Sequence, residues 1–120
     1  LITYGSSVKT AMEAVEHITD IDVEVIDLRT LSPLDDKTII DSVKKTGKVV
    51  IVHEAVKTLG FAAEIIARIN EKAFYSLEAP IERVTAPDII VPLPKSENFY
   101  MITQQKIINA VQRVVENTKK

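Results

Sequence analysis

The first residues whose types invite chemistry are a histidine and a glutamate side by side, His53-Glu54, at the end of the wholly apolar run Val49-Val50-Ile51-Val52. An imidazole titrates near neutral pH, so His53 admits three roles. It is a structural or interface residue, a solvent-facing group at the mouth of an active site, or a direct catalyst. A metal site needs more ligands than the two histidines, His17 and His53, supply. Cysteine is absent, which excludes disulfides, thiolate metal sites and thiol nucleophiles, and fits a cytoplasmic protein. A second stretch with chemical potential is Gly5-Ser6-Ser7. Free backbone N–H groups at such a turn can hold an anion, but serine is also what a helix start prefers as a cap.

The elements that must position these residues follow from the pattern. Four consecutive β-branched residues leave no polar face, as a strand covered on both sides of a parallel sheet requires, so Val49–Val52 reads as the central strand, stopping at His53-Glu54. In open α/β sheets ligands and partners gather outside the carboxyl ends of such strands. Ahead of it, Leu1–Tyr4 reads as a strand, and Val8, Ala11, Met12, Val15 and Ile18 repeat at helical spacing. Val23–Leu28 is a second strand. Asp35 caps a helix with Ile39, Ile40 and Val43 on one face, Lys44-Lys45 in its last turn and Gly47 beyond its end. After the central strand, Phe61, Ile65, Ile66, Ile69 and Phe74 predict a long amphipathic helix starting at Gly60. Ile81–Thr85 is a fourth strand, and proline in the stretch from Ala86 to Tyr100 predicts an irregular loop. Thr103 caps a last helix with Ile107, Ile108, Val111, Val114 and Val115 as its stripe. Strands alternating with helices imply right-handed crossovers and a parallel sheet.

The 120 residues are the length of one domain, spanning 1–120. A net charge of −2 gives no reason to expect nucleic acid, and the short apolar runs fall far below the ~20 residues that span a bilayer, so no membrane segment is expected. The opening Leu1-Ile2-Thr3-Tyr4 reads as part of a longer polypeptide.

Four stretches together resemble one family: Val25-Ile26-Asp27-Leu28-Arg29-Thr30-Leu31-Ser32-Pro33-Leu34-Asp35, Ser42-Val43-Lys44-Lys45-Thr46-Gly47, Val52-His53-Glu54-Ala55, and Ala79-Pro80-Ile81-Glu82-Arg83-Val84-Thr85-Ala86-Pro87-Asp88. The family is the C-terminal domain of the β subunit of thiamine-diphosphate-dependent 2-oxo acid dehydrogenases, related to the C-terminal domain of transketolase. Where the family has Gly-Gly-Phe-Gly-Ala-Glu this chain has Leu59-Gly60-Phe61-Ala62-Ala63-Glu64, and Val56 stands where the family has proline.

The resemblance implies a three-layer α/β/α fold with a mostly parallel sheet, its visible strands ordered second, first, third, fourth, and an antiparallel strand upstream of Leu1 beside the second. It implies an enzyme that decarboxylates a 2-oxo acid, of pyruvate or branched-chain type, and reductively acylates a lipoyl group. Thiamine diphosphate and magnesium would belong to the whole enzyme, with no cofactor and no catalytic residue on this domain. The expected partners are the α subunit, a second β subunit and the subunit-binding domain of the acyltransferase. Interface candidates are His53, Glu54, Gly60, Phe61 and Ala62, with Glu78 and Glu82 as the acidic docking pair. Transketolase and deoxyxylulose-phosphate synthase share the fold and are the nearest alternative. A flavodoxin-like domain is the more distant one, weakened by only three tyrosines, three phenylalanines and no tryptophan.

Overall fold

A computed structural model describes residues 1–90 and 100–118. In chain order the elements are β1 (Ile2–Thr3), α1 (Ser7–Glu16), β2 (Ile26–Asp27), α2 (Asp36–Thr46), β3 (Val50–Val56), α3 (Phe61–Ala73), a single 3₁₀ turn (Phe74–Ser76), β4 (Glu82–Ala86) and α4 (Gln104–Asn117). The strands form one sheet in the order β2-β1-β3-β4, every neighbouring pair parallel, as the alternation of elements implies. Most of the loop expected from Ala86 to Tyr100, residues 91–99, lies outside the described residues.

Each face of the sheet carries its own core. Ile2 and Ile51 pack with Ile39, Ile40 and Val43 of α2 and Ile65 and Ile69 of α3 on one side. Val50 and Val52 pack with Ala11 and Ala14 of α1 and Ile107, Val111 and Val114 of α4 on the other. Consecutive residues of β3 therefore serve opposite cores, which is why the run has no polar face.

The helix signals hold at α2 and α4. The Asp35 side chain accepts from the Thr38 N–H at 3.1 Å, and Gly47 closes α2 in the left-handed region at φ 71°, its N–H donating to the Val43 carbonyl at 2.8 Å. Thr103 accepts from the Lys106 N–H at 3.2 Å. The serine cap does not form at α1. Ser6 is itself helical in backbone and its side chain makes no capping bond, while Ser7 is buried with its hydroxyl unpartnered. The turn is made instead by Gly5, at φ 65°, whose carbonyl accepts from the Val8 N–H.

Three other expectations need correction. The second strand is confined to Ile26–Asp27 and does not extend over Val23–Leu28, because β1, its partner in the ladder, offers only Ile2 and Thr3. Phe74 is not part of the α3 stripe; the α-helix ends at Ala73, and Phe74 is exposed in the 3₁₀ turn that follows. The central strand does not stop at His53-Glu54 but continues to Val56. It does so through an irregularity: Val52 pairs with Val84 and Val56 with Ala86, four steps on β3 against two on β4. A bulge of this kind re-aims side chains, and here it covers His53-Glu54-Ala55.

Candidate functional site

The bulge decides what His53 can do. Its side chain follows Ile51 onto the α2/α3 face and is completely buried, 0% exposed, whereas Glu54 and Ala55 turn out to solvent. Gly60, the residue before α3, lies directly over the imidazole. A Cβ placed on Gly60 would stand 2.8 Å from His53 Cε1 and 2.3 Å from the Val56 carbonyl oxygen. Glycine is required there by contact with the ring and with backbone, not by its dihedral angles, which are extended at φ −67°. On the other side of the ring lies Tyr4, at the end of β1, with ring centroids 6.1 Å apart. Phe61 meets Tyr4 edge to face at 6.3 Å, a preferred aromatic geometry.

His53 is thus enclosed by Tyr4, Gly60 and Phe61. Among the described residues neither ring nitrogen has a hydrogen-bond partner. Burial, reinforced weakly by the charge of Arg83, holds its pKa below the ordinary value, although the adjacent backbone of His53 and Ala55 pulls the other way. Burial likewise raises the Tyr4 phenol. A neutral imidazole sealed from solvent is poorly placed to exchange protons with a substrate, so the geometry favours a packing role over the solvent-facing one.

The seven candidate residues divide between the two ends of the sheet. His53, Gly60 and Phe61 meet at the carboxyl end. Ala62 does not join them at a surface: within this chain it is fully buried in the α2/α3 core. Glu78 and Glu82 lie toward the amino end. Glu82 is opposite Val50 across the β3–β4 ladder, three strand residues, or roughly 10 Å, from His53.

Both glutamates already have cationic partners. Glu78 accepts from Lys48 Nζ at 2.6 Å, its side chain resting on Gly47. Glu82 accepts from Arg113 of α4 through Nε at 3.2 Å and Nη2 at 3.1 Å. Just before Glu78 stand Phe74 and Tyr75, edge to face at 5.4 Å, with Tyr75 98% exposed. Counting Phe74 in a helical stripe hid this pair. The signal that it leaves the core is its place at the helix end, in the Phe74-Tyr75-Ser76 turn before Leu77.

The loop between β3 and α3 shows the cost of the chain's departure from the glycine-rich pattern. Leu59 sits in the left-handed region at φ 61° and is 95% exposed. A non-glycine residue is strained there by roughly 1–2 kcal/mol. Asp88 braces the loop from the far side, its two oxygens accepting from the Thr58 N–H at 2.8 Å and the Thr58 hydroxyl at 2.5 Å. The Thr58 hydroxyl bond, more than any other contact, holds the Asp88 carboxyl below its usual range.

Comparison with known proteins now fixes the family. The model of the transketolase C-terminal domain matches residues 1–107. The chain belongs to that family. It is similar to the pyruvate dehydrogenase E1 component subunit beta of Bacillus subtilis, 42% identical over 118 residues, and to that of Acholeplasma laidlawii, 45% identical over 118 residues. In each case the match covers 97% of this chain and 36% of the relative, so the chain spans about a third of the length of the curated relatives it matches. Among solved structures it resembles a split-gene transketolase, described as an inactive β4 tetramer, with a TM-score of 0.81 over 98% of this chain and 38% of that one. At 21% identity that likeness concerns the fold. The sheet order, the parallel ladders and the two-faced core of this transketolase C-terminal domain are thus accounted for.

Proposed function

We propose that this chain serves as the C-terminal domain of the β subunit of a pyruvate-decarboxylating, thiamine-diphosphate-dependent dehydrogenase, and that its work there is assembly and docking. The observation that carries the reading is 42–45% identity to pyruvate dehydrogenase β subunits over nearly the whole chain. The pyruvate type is preferred to the branched-chain type on the same ground. A cytoplasmic location accords with it, and no helix among the described residues is long and apolar enough to cross a membrane.

The cofactor would be held elsewhere in the enzyme. Among the described residues no three histidine, aspartate or glutamate side chains converge on a point that could hold a metal ion. The α subunit and a second β subunit are the partners for assembly, with Phe61 and exposed Glu54 as the contact region at the carboxyl end and buried Gly60 shaping the loop between them. The acyltransferase's subunit-binding domain is the partner for docking, at Glu78 and Glu82. An exposed aromatic pair beside Glu78 supports that second assignment, because aromatic anchors ringed by charge are what docking sites use.

A chimera tests the reading. The corresponding third of the Bacillus subtilis β subunit is replaced by this chain and co-expressed with its α subunit. Assembly into the α/β enzyme with pyruvate-dependent reduction is expected. A soluble chimeric subunit that fails to assemble would overturn it. Decarboxylation by the isolated chain would overturn the division of labour.

A further inference from the structure

Among the cavities outside the two regions above, an open one of about 380 Å³ lies along the edge strand β4, between the β3–α3 loop and α4. Cations reach it from three elements: Lys57 from the loop, Arg83 from β4, and Lys106 and Arg113 from α4, with the Asn109 amide among them. Its charges are unevenly compensated. Arg113 is engaged by Glu82, and Asp88, the carboxylate on the wall, is held by Thr58 and keeps its negative charge, which faces Lys57, so four cations meet two carboxylates. Lys106 Nζ donates to the Met101 carbonyl at 2.7 Å. Lys57 and Arg83 form no ion pair with any described carboxylate. Arg83 donates through Nη1 to the Lys57 carbonyl at 3.2 Å, which fixes one edge of the guanidinium; among the described residues its other edge makes no bond.

We infer that this cavity binds a small oxyanion carrying two or more negative charges, a phosphate-bearing or polycarboxylate molecule. A positive cavity on a chain whose net charge is −2 is a local concentration of cations, not a sample of a basic surface. A guanidinium held by a backbone carbonyl on one side presents a preorganised fork on the other, which suits two oxygens of one anion, with Lys57 adding a point charge and Asn109 a donor. This inference is independent of the assembly reading and stands or falls on different residues.

The test is an amide NMR titration of the 120-residue chain with inorganic phosphate, then with citrate, sodium chloride holding ionic strength at about 0.1 M, where screening acts over roughly 10 Å. Saturable shifts confined to Lys57, Thr58, Arg83 and Asn109 are expected for one or both probes, and the preferred probe separates phosphate from carboxylate recognition. Arg83→Gln should weaken binding at least about fivefold. Lys57→Gln, which keeps the backbone carbonyl that holds Arg83, should also weaken it, whereas Lys9→Gln on α1 should not. Shifts that never saturate, that spread over all surface lysines, or that persist unchanged in Arg83→Gln and Lys57→Gln would overturn the proposal. So would saturation by a polyglutamate peptide alone, which would make the cavity a protein contact.

Discussion

The two ends of the sheet treat ionisable groups in opposite ways. At the carboxyl end His53 is sealed among Tyr4, Gly60 and Phe61 with no hydrogen-bond partner among the described residues. Toward the amino end Glu78 and Glu82 are matched by Lys48 and Arg113 and remain partly open to water. A buried group acts on stability through desolvation and shape, with effects of kcal/mol. A hydrated ion pair adds at most about 1 kcal/mol and acts mainly on how a partner arrives. The same charge chemistry therefore builds the fold at one end and is available for recognition at the other.

The comparison breaks most readily at Gly60. Alanine there would press its Cβ into the Val56 carbonyl, which is backbone in a paired strand and cannot swing aside, and into the His53 ring. Gly60→Ala should lower unfolding free energy by on the order of 3 kcal/mol in urea titration. A loss under about 1 kcal/mol would show that the loop relaxes and that His53 is less tightly enclosed.

Acid comes next. The unfolded chain takes up the His53 proton near pH 6.5, while burial holds the folded value lower. Between those two values the unfolded state binds more protons. The contribution of neutral His53 is therefore complete above about pH 6.5 and declines as pH falls through the window below it, by at most about 1.4 kcal/mol per pH unit. The paired carboxylates Asp36 and Asp88 have lowered values and lose their contribution at more acid pH, in the carboxylate range. Replacing His53 by glutamine should flatten the upper limb alone. An unchanged slope in that variant would assign the upper limb to another group.

How much of this was legible beforehand depends on whether a residue's surroundings are local. The helix ends at Asp35, Gly47 and Thr103 were readable because a cap is a contact between residues a few positions apart. The sheet order was available only through the family resemblance, since strand pairing is long-range. The bulge at His53-Glu54-Ala55 was not readable from the apolar run that precedes it, because it depends on the register with β4, some thirty residues on. The enclosure of His53 needed Tyr4 from β1 and Gly60 from the next loop. The partners of Glu78 and Glu82, likewise, come from Lys48 and from Arg113, and the apolar pattern is silent about which cation faces which carboxylate.

Leu59 sharpens the comparison from the loop at the carboxyl end. Its side chain is almost wholly in solvent, so glycine removes no packing. Relief of the positive φ, roughly 1–2 kcal/mol, is partly offset by the greater backbone freedom of unfolded glycine, about 0.5–1 kcal/mol. Leu59→Gly should raise stability by about 0.5 kcal/mol in the same urea assay. A loss of stability would mean that the leucine side chain is used against a surface of the folded chain.

The smallest effects belong to the acidic rim, and they are kinetic. A basic docking partner must take each glutamate from its present cation. Glu78 is held by one lysine and its side chain is 53% exposed, while Glu82 is held through two arginine nitrogens and is 22% exposed. Exchange is easier at Glu78, so Glu78→Lys should slow association of the acyltransferase's subunit-binding domain severalfold, and more than Glu82→Lys. The deficit should shrink as salt rises, because screening confines the reach of the charge to roughly 10 Å at 0.1 M. Tyr75→Ala should act differently, raising the dissociation rate with little change in association rate or salt dependence, since an aromatic anchor works by contact and not by field. Stopped-flow association at several salt concentrations separates the two. If both reversals leave rate and salt dependence untouched, the docking surface is not this rim, and the paired glutamates serve only to fasten Lys48 and α4 to the amino end of the sheet.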